Sequence, residues 1–495
     1  MLPSSAAMAC LTALLLAGAP ADPSPSSSSS PSRAAVEQAR ARLRSGNDSG
    51  ALASIDDALR IEPENADALM LLGDIMRGRE RREEAEAAYR RAAELLGDTT
   101  PAGLDASCAL ADILTQQGRS GEAIAVLRRV QAAAPKRSSV QHDLGRILLV
   151  VGELQAAERA FLGELELQTA WGAPGQVRET IVASTREGLG VVRYRLGNDA
   201  GAIEALSHAP GSIEARYHAG LALSRLGRHQ EALTALRDVL ARDPQHRGAL
   251  QAVARAAGAA GLSEEKQDAL ARFGELYKQD EAARALHVRV FELRTQADTL
   301  AKKGDSREAA ARLEEAVRLA PDDLDLLLLL GRVQYGAQNP AAAEQTFRRI
   351  LEKEPLQAEA LHRLGRLLAE RGDVPAAMAL MESACGASPL NISYRVHLAQ
   401  TYLRAGRPED GVRELRLARR LAPADPESAY NLGLGLAQAG SLREAATELE
   451  ESVRQGYTDP MVHQVLAQIY ERLGDAEASR RAKQTYEKLR GTPPR

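Results

Sequence analysis

Apolar and polar positions along the chain alternate in a block that returns every 34 residues. Pro321, Pro355, Pro389 and Pro423 are spaced by that interval, and other residue types keep step with them. With the proline at position 32 of each unit, leucine and glycine fall at positions 7 and 8, as in Leu330 and Gly331, Leu364 and Gly365, Leu432 and Gly433. Alanine falls at position 20 (Ala309, Ala343, Ala377, Ala445), a large apolar residue at 24 (Leu313, Phe347, Met381, Leu449), and alanine often returns at 27 (Ala316, Ala384, Ala418). Positions 4, 7, 8 and 11 make one face of a first helix, and positions 20, 24 and 27 one face of a second. Small residues at 8 and 20 let the two backbones approach where they cross. A glycine near position 15 turns the chain (Gly304, Gly372, Gly406, Gly440), and the proline stops the second helix. One such hairpin cannot bury its apolar face alone, so neighbours must stack.

The stretch LDLLLLLGRVQYGAQNP (324–340) shows how this frame explains an odd run. Its leucines are bracketed by Asp325 and Arg332, too short an apolar stretch for the roughly 20 residues a membrane span needs. No Lys-Ser or Lys-Thr follows its glycines, so it makes no phosphate loop. It is the first helix of one unit, in which Leu327, Leu330 and Gly331 are packing positions and Leu328, at position 5, is not explained by packing.

These residues resemble the tetratricopeptide repeat. The stretch AYNLGLGLAQAGSLREAATELEESV (429–453) is similar to that family at nearly every defining position. In the same register, units begin near Ser32, Ala66, Leu104, Ser138, Ala183, Ile213, Val290, Leu324, Ala358, Ile392 and Pro426. The residues expected at the tight helix crossings are Gly73, Ala85, Gly145, Ala157, Gly220, Ala232, Gly331, Ala343, Gly365, Ala377, Gly433 and Ala445. Two stretches depart from the pattern. Residues 168–180, which hold the single tryptophan, Trp171, read as an insertion, and residues 247–289 place Lys266 where the small residue belongs, with a longer helix expected from about Ser263. The expected organisation is a signal-like segment at 1–21, a Ser/Pro-rich linker at 22–33, an N-terminal array at 34–244, a degenerate connector at 245–289 and a regular C-terminal array at 290–490 with terminal capping helices.

Composition agrees with helix throughout. Aromatic residues make up only 3% of the chain and hydrophobic residues 44%, so strand formers are scarce. The fold class expected is all-α, and the resemblance specifies an α-solenoid, a right-handed superhelix of stacked hairpins. A net charge of -4 from 63 basic and 67 acidic residues provides no field to recruit nucleic acid. The run MACLTALLLAGAPAD, ending in Ala19, Pro20 and Ala21, is shaped like a signal peptide. If it is cleaved the protein is exported, periplasmic or secreted, with no transmembrane segment in the mature chain; otherwise it is cytoplasmic.

Candidate chemistry is sparse. Cys10, Cys108 and Cys385 form no CxxC and read as inert apolar residues. Nine histidines are scattered without HExxH or a Cys–His cluster, so no metal site is expected. GLGLAQAG (433–440) has its glycines where packing and the turn already need them, and no strand precedes it. Acidic pairs such as Asp56 with Asp57 and Glu314 with Glu315 fall on expected solvent faces of second helices. No cofactor and no enzymatic activity are expected.

The resemblance implies a concave groove lined mainly by first-helix positions 2, 5, 9, 12 and 13, holding a peptide segment or helix of another protein. On that stripe lie Leu328, Arg332 and Tyr335, then His362 and Arg366, then Val396, Gln400 and Leu403, then Tyr430. Asp67, Asp74, Asp105 and Asp112 take positions 2 and 9 of early units and should make that part of the groove acidic. Members that grip acidic chaperone tails use Lys at position 5 and Asn at position 9, a pair absent from every unit of this chain. The function expected is a noncatalytic scaffold or adaptor for protein–protein interaction, in the cell envelope or a secretion assembly. The alternative is a regulatory or polysaccharide-export accessory that positions a separate catalytic partner.

Overall fold

The computed structural model describes residues 30–137, 139–170, 176–209 and 211–490. The signal-like segment 1–21, most of the linker 22–33, Cys10 and Trp171 lie outside the described residues. Among the described residues there are 25 helices and no strand. The chain is an all-α solenoid of stacked hairpins, as the period requires. The linker ends earlier than expected: Ser30 accepts a hydrogen bond from the Arg33 amide and Pro31 opens the first helix, Pro31–Arg44. An N-cap serine followed by proline is a strong helix start, and it overrides the Ser/Pro-rich composition upstream.

The glycine at position 15 is the most regular feature. Gly304, Gly372, Gly406 and Gly440 have φ of 90°, 91°, 73° and 86°, the left-handed conformation that closes the first helix. Two units use a residue with a side chain there, Glu80 (φ 59°) and Gln338 (φ 57°).

Contacts divide the described residues into two compact units, one holding residues 80–287 and the other residues 30–79 together with 288–490. The repeat pattern places 34–79 at the head of the N-terminal array; in the structure those residues share a unit with the C-terminal repeats. In the unit 80–287 the crossing positions behave as the pattern demands. A Cβ on Gly145 would lie 2.8 Å from the Phe161 ring, and one on Gly220 would lie 2.7 Å from Leu236 Cγ. Phe161 is also covered from the next repeat, where a Cβ on Gly188 would come within 2.5 Å of it. The insertion 168–180 is partly absorbed by long helices on either side, Leu154–Ala170 and Gln176–Arg195.

In the second unit the same relation joins Gly331 to Phe347 (2.6 Å), Gly365 to Met381 (2.9 Å) and Gly433 to Leu449 (2.6 Å). Ala343, Ala377 and Ala445 are fully buried beside them. The helix expected from about Ser263 runs Ser263–Lys302, 40 residues without a break. It merges the second helix of one repeat with the first helix of the next. The reason is local: no proline stands at the expected stop, which is Lys278, and the helix contains none. Near its start Lys266 is exposed and Ala269 is turned inward against Leu250 and Val253. A long cation cannot sit in the tight crossing that alanine fills elsewhere, so the helix presents its next small residue.

Candidate interaction surfaces

The stripe of positions 5, 9 and 12 in the C-terminal repeats does not have one character. Leu328 is 9% exposed and belongs to a core with Leu326, Leu327 and Leu364. The expectation that it faces the groove is corrected: Leu328 is packed into the core that consecutive repeats build together. His362, also at position 5, is 5% exposed, stacked on Tyr394 with ring centres 4.5 Å apart and tilted against His397 at 4.8 Å. Burial, then the His397, Arg366 and Arg363 charges, pushes its pKa down to about 3. Val396 and Leu403 pack against the core around Leu415 and Leu432, and a Cβ on Gly411 would touch Leu403 Cγ at 2.9 Å. Tyr430 stacks on Tyr457 at 4.3 Å.

What remains on the surface is Arg332, Tyr335 and Gln400, with Arg366 half-buried. Two of these converge. The Tyr335 hydroxyl donates to both oxygens of Glu370 at 2.7 Å, and Arg366 Nη2 lies 3.8 Å from the same carboxylate. That hydrogen bond, then burial and the Glu370 charge, holds the Tyr335 phenol above its usual pKa. Arg332 makes no ion pair among the described residues.

The four aspartates of the expected acidic stretch are each matched by an arginine. Asp112 meets Arg146 at 3.2 Å, position 9 of one repeat against position 9 of the next, and Asp105 pairs with Arg137. In the other unit Asp67 lies 3.5 Å from Arg40, and Asp74 lies 3.4 Å from Arg77. The Asp112–Arg146 and Asp67–Arg40 pairs join neighbouring repeats and Asp74–Arg77 lies within one helix, so the charge read from single positions is largely cancelled.

The most buried polar cluster involves residues that the repeat pattern does not single out. Arg395 is fully buried; its Nη1 meets Glu414 Oε2 at 3.0 Å, its Nη2 donates to Asp56, and its Nε donates to the Pro389 carbonyl at 2.9 Å. Arg60 binds Asp56 at 2.7 Å and also pairs with Glu414. Burial works against the Arg395 charge, and the carboxylates beside it outweigh that and keep it protonated. The helix Asp48–Ile61 is thereby tied to the helices Ile392–Arg404 and Pro408–Leu421. Asp56 is 5% exposed, which corrects its placing on a solvent face; Asp57 beside it is exposed. A signal was available in the sequence. Position 4 holds Leu293, Leu327 and Leu361 in three preceding repeats, and an arginine at the fourth is a charge on an apolar face.

Cys385 is buried beneath this cluster and burial pushes its thiol up to about 12; Cys108 is raised to about 11, again by burial first. Both thiols are held protonated and unreactive. No group of metal-ligating side chains comes together among the described residues, and no described helix is long and apolar enough to cross a membrane. Where Lys266 replaces alanine, a cleft of about 510 Å³ opens, lined by Gln251, Ala254, Arg255, Gly258, Lys266 and Leu270.

The repeats seen here match a family model described as tetratricopeptide repeat at residues 36–98, 77–138, 108–174, 294–355, 328–392 and 397–460, and a second model of that description matches at 214–246. Inside the array the matches leave two long stretches uncovered, 175–213, which runs from within the insertion through the repeat that begins near Ala183, and 247–293, which holds the degenerate repeat. No curated protein matches the chain. Among solved structures it is similar to PilW, titled a widely conserved type IV pilus biogenesis factor, at 18% identity over 41% of this chain and 95% of that one, TM-score 0.37. It is also similar to MamA from Desulfovibrio magneticus RS-1, at 20% identity over 34% and 94%, TM-score 0.31. A third is YrrB, titled a TPR protein with an unusual peptide-binding site, at 16% identity over 37% and 93%, TM-score 0.32. With more than half its residues matched in blocks that share the register of the observed hairpins, the chain belongs to the tetratricopeptide repeat family, whose stacked repeats serve as protein-interaction scaffolds.

Proposed function

We propose that this protein is a noncatalytic scaffold that holds a segment of a partner protein against the first helices of its C-terminal repeats. The observation that carries the reading is the convergence of Tyr335, Arg366 and Glu370 from two consecutive first helices, with Arg332, which makes no ion pair among the described residues, one turn from Tyr335. Tyrosine and arginine supply most binding energy at protein interfaces because each combines a large contact area with directed hydrogen bonds. Tyr335 is 38% exposed, so its ring is available to an apolar side chain while its hydroxyl is fixed by Glu370. The segment that fits carries apolar residues for the Tyr335 ring and a carboxylate for Arg332. Arg332→Ala with Arg366→Ala should lose the partner in affinity purification read by mass spectrometry, with helicity unchanged by circular dichroism. Capture of the same proteins by the double variant refutes this surface.

The compartment we propose is the cell envelope or the exterior, where the scaffold would hold together components of an envelope or secretion assembly. The signal-like segment 1–21 supports it. Sequencing the N-terminus of the mature protein tests it: a start after Ala21 fits export, and an intact Met1 opposes it.

A further inference from the structure

The contact between the helix Asp48–Ile61 and the C-terminal repeats is made of two halves, each electrically complete without the other. On one half Arg60 Nε binds Asp56 Oδ2 at 2.7 Å across a single helical turn. On the other, Arg395 Nη1 binds Glu414 Oε2 at 3.0 Å, and the Arg395 guanidinium also donates to the Pro389 carbonyl. Separated, each half keeps an ion pair of net charge zero. Parting them therefore exposes matched ions to water and strands no buried charge, which is the usual obstacle to opening a buried ionic contact. Joined, each arginine faces both carboxylates, since Arg395 reaches Asp56 and Arg60 reaches Glu414.

Two further observations bear on which molecule supplies each half. The bonds between them span 339 and 354 residues of sequence, and Arg420 adds one to the Arg60 carbonyl across 360, at 3.3 Å. Bonds so distant in the chain set no geometric preference for the same molecule over an identical neighbour; only local concentration does. In addition, the chain passes out of the unit that holds residues 30–79 at the step from Arg79 to Glu80, and Glu80 holds φ at 59°. That left-handed conformation is costly for a residue with a Cβ, and a strained connection favours rearrangement of the segment it holds.

We propose that the Arg395–Glu414 face is a homotypic interaction surface, on which residues 31–79 of a second copy take the place of the chain's own, so that two chains pair by exchange. Every contact of the single chain is remade between two, so exchange needs no new surface. The feature read is a helix with aspartate and arginine one turn apart, as Asp56 and Arg60 are on Asp48–Ile61. The peptide-binding surface proposed above plays no part in this pairing.

Charge reversal tests it on the full chain. Asp56→Arg sets three arginines together, and Arg395→Asp sets three acids together, so neither variant can pair with itself. In a mixture, the helix altered by Asp56→Arg on one chain meets the face altered by Arg395→Asp on the other, while both wild-type halves meet in the same dimer. The expected result by light scattering after size exclusion is a concentration-dependent dimer for wild type, monomer for each variant, and recovered dimer for the mixture. A mixture that stays monomeric, or a dimer that persists in Asp56→Arg, overturns the proposal. Should a variant fail to fold, isotopically light and heavy wild-type chains are mixed and read by native mass spectrometry. Hybrid dimers are expected; their absence overturns the proposal equally.

Discussion

Arg395 donates to Asp56 across 339 residues of chain, with its own side chain entirely out of water. The bond sits in a cluster where two arginines and two carboxylates neutralise one another. Removing one member leaves a buried charge uncompensated, so Asp56→Ala should cost about 3–5 kcal/mol in urea unfolding. Replacing the buried members together by apolar residues (Asp56→Leu, Arg395→Met, Glu414→Leu) should cost much less, because Arg60 reaches solvent by itself. A single variant as stable as wild type would show that the cluster is not held closed in solution.

The left-handed turn between the two helices of each repeat gives a pair of opposite substitutions. Gln338 holds φ at 57° and Gly372 holds it at 91°. Gln338→Gly relieves a strained backbone and should stabilise by roughly 0.5–1 kcal/mol, after the entropy that glycine adds to the unfolded chain. Gly372→Ala should destabilise by about 1 kcal/mol or more, with nothing near the added Cβ to blame but the backbone itself. Thermal melts of the two variants should move in opposite directions.

Ala377 and Glu370 provide a test of the register. Ala377 is fully buried, and its carbonyl would lie 3.2 Å from a Cβ on Gly365, so Ala377→Glu forces a charge into a helix crossing at a cost of several kcal/mol. Glu370→Ala removes the Tyr335 bond but does so in water, and should cost less than about 1 kcal/mol. Equal losses in chemical denaturation would mean that position 20 is not where the helices cross.

His362 should make part of the stability depend on pH. Its folded pKa of about 3 lies below the ordinary 6.5, so between those values the unfolded chain binds a proton that the folded chain refuses. Stability from this group is fully present above pH 6.5 and is lost as pH falls below it, by at most about 1.4 kcal/mol per pH unit. His362→Phe keeps a ring against Tyr394 and removes the proton. Its stability should fall less than that of wild type from pH 7 to pH 5, by about 2 kcal/mol in the difference. Parallel slopes for the two proteins would show that the imidazole is not held neutral.

The repeats are legible because their causes are local. A glycine at the turn, small residues at the crossing and an apolar face at helical spacing each act within one hairpin, and a single chain displays them many times over. Gly331 against Phe347 and Gly365 against Met381 follow from the period alone. The merged helix Ser263–Lys302 is foreshadowed by a missing proline and a misplaced lysine. The candidate surface is legible only in part. Position in the repeat names the residues that face one side of a helix, but the next repeat decides whether that side is covered. Thus Leu328 and His362 are buried while Arg332 and Tyr335 are not. Nor does a single position reveal its charge partner, which is why Asp112 reads as acidic and stands beside Arg146.

The helices, their turns and their pairing into hairpins are written into the order of residues, because each is settled within one 34-residue interval. Where residues 31–79 belong is settled only in three dimensions. That choice rests on Asp56, Arg60, Arg395 and Glu414, whose attraction acts through space and leaves no periodic trace in the chain; its one sign is an arginine where three earlier repeats carry leucine.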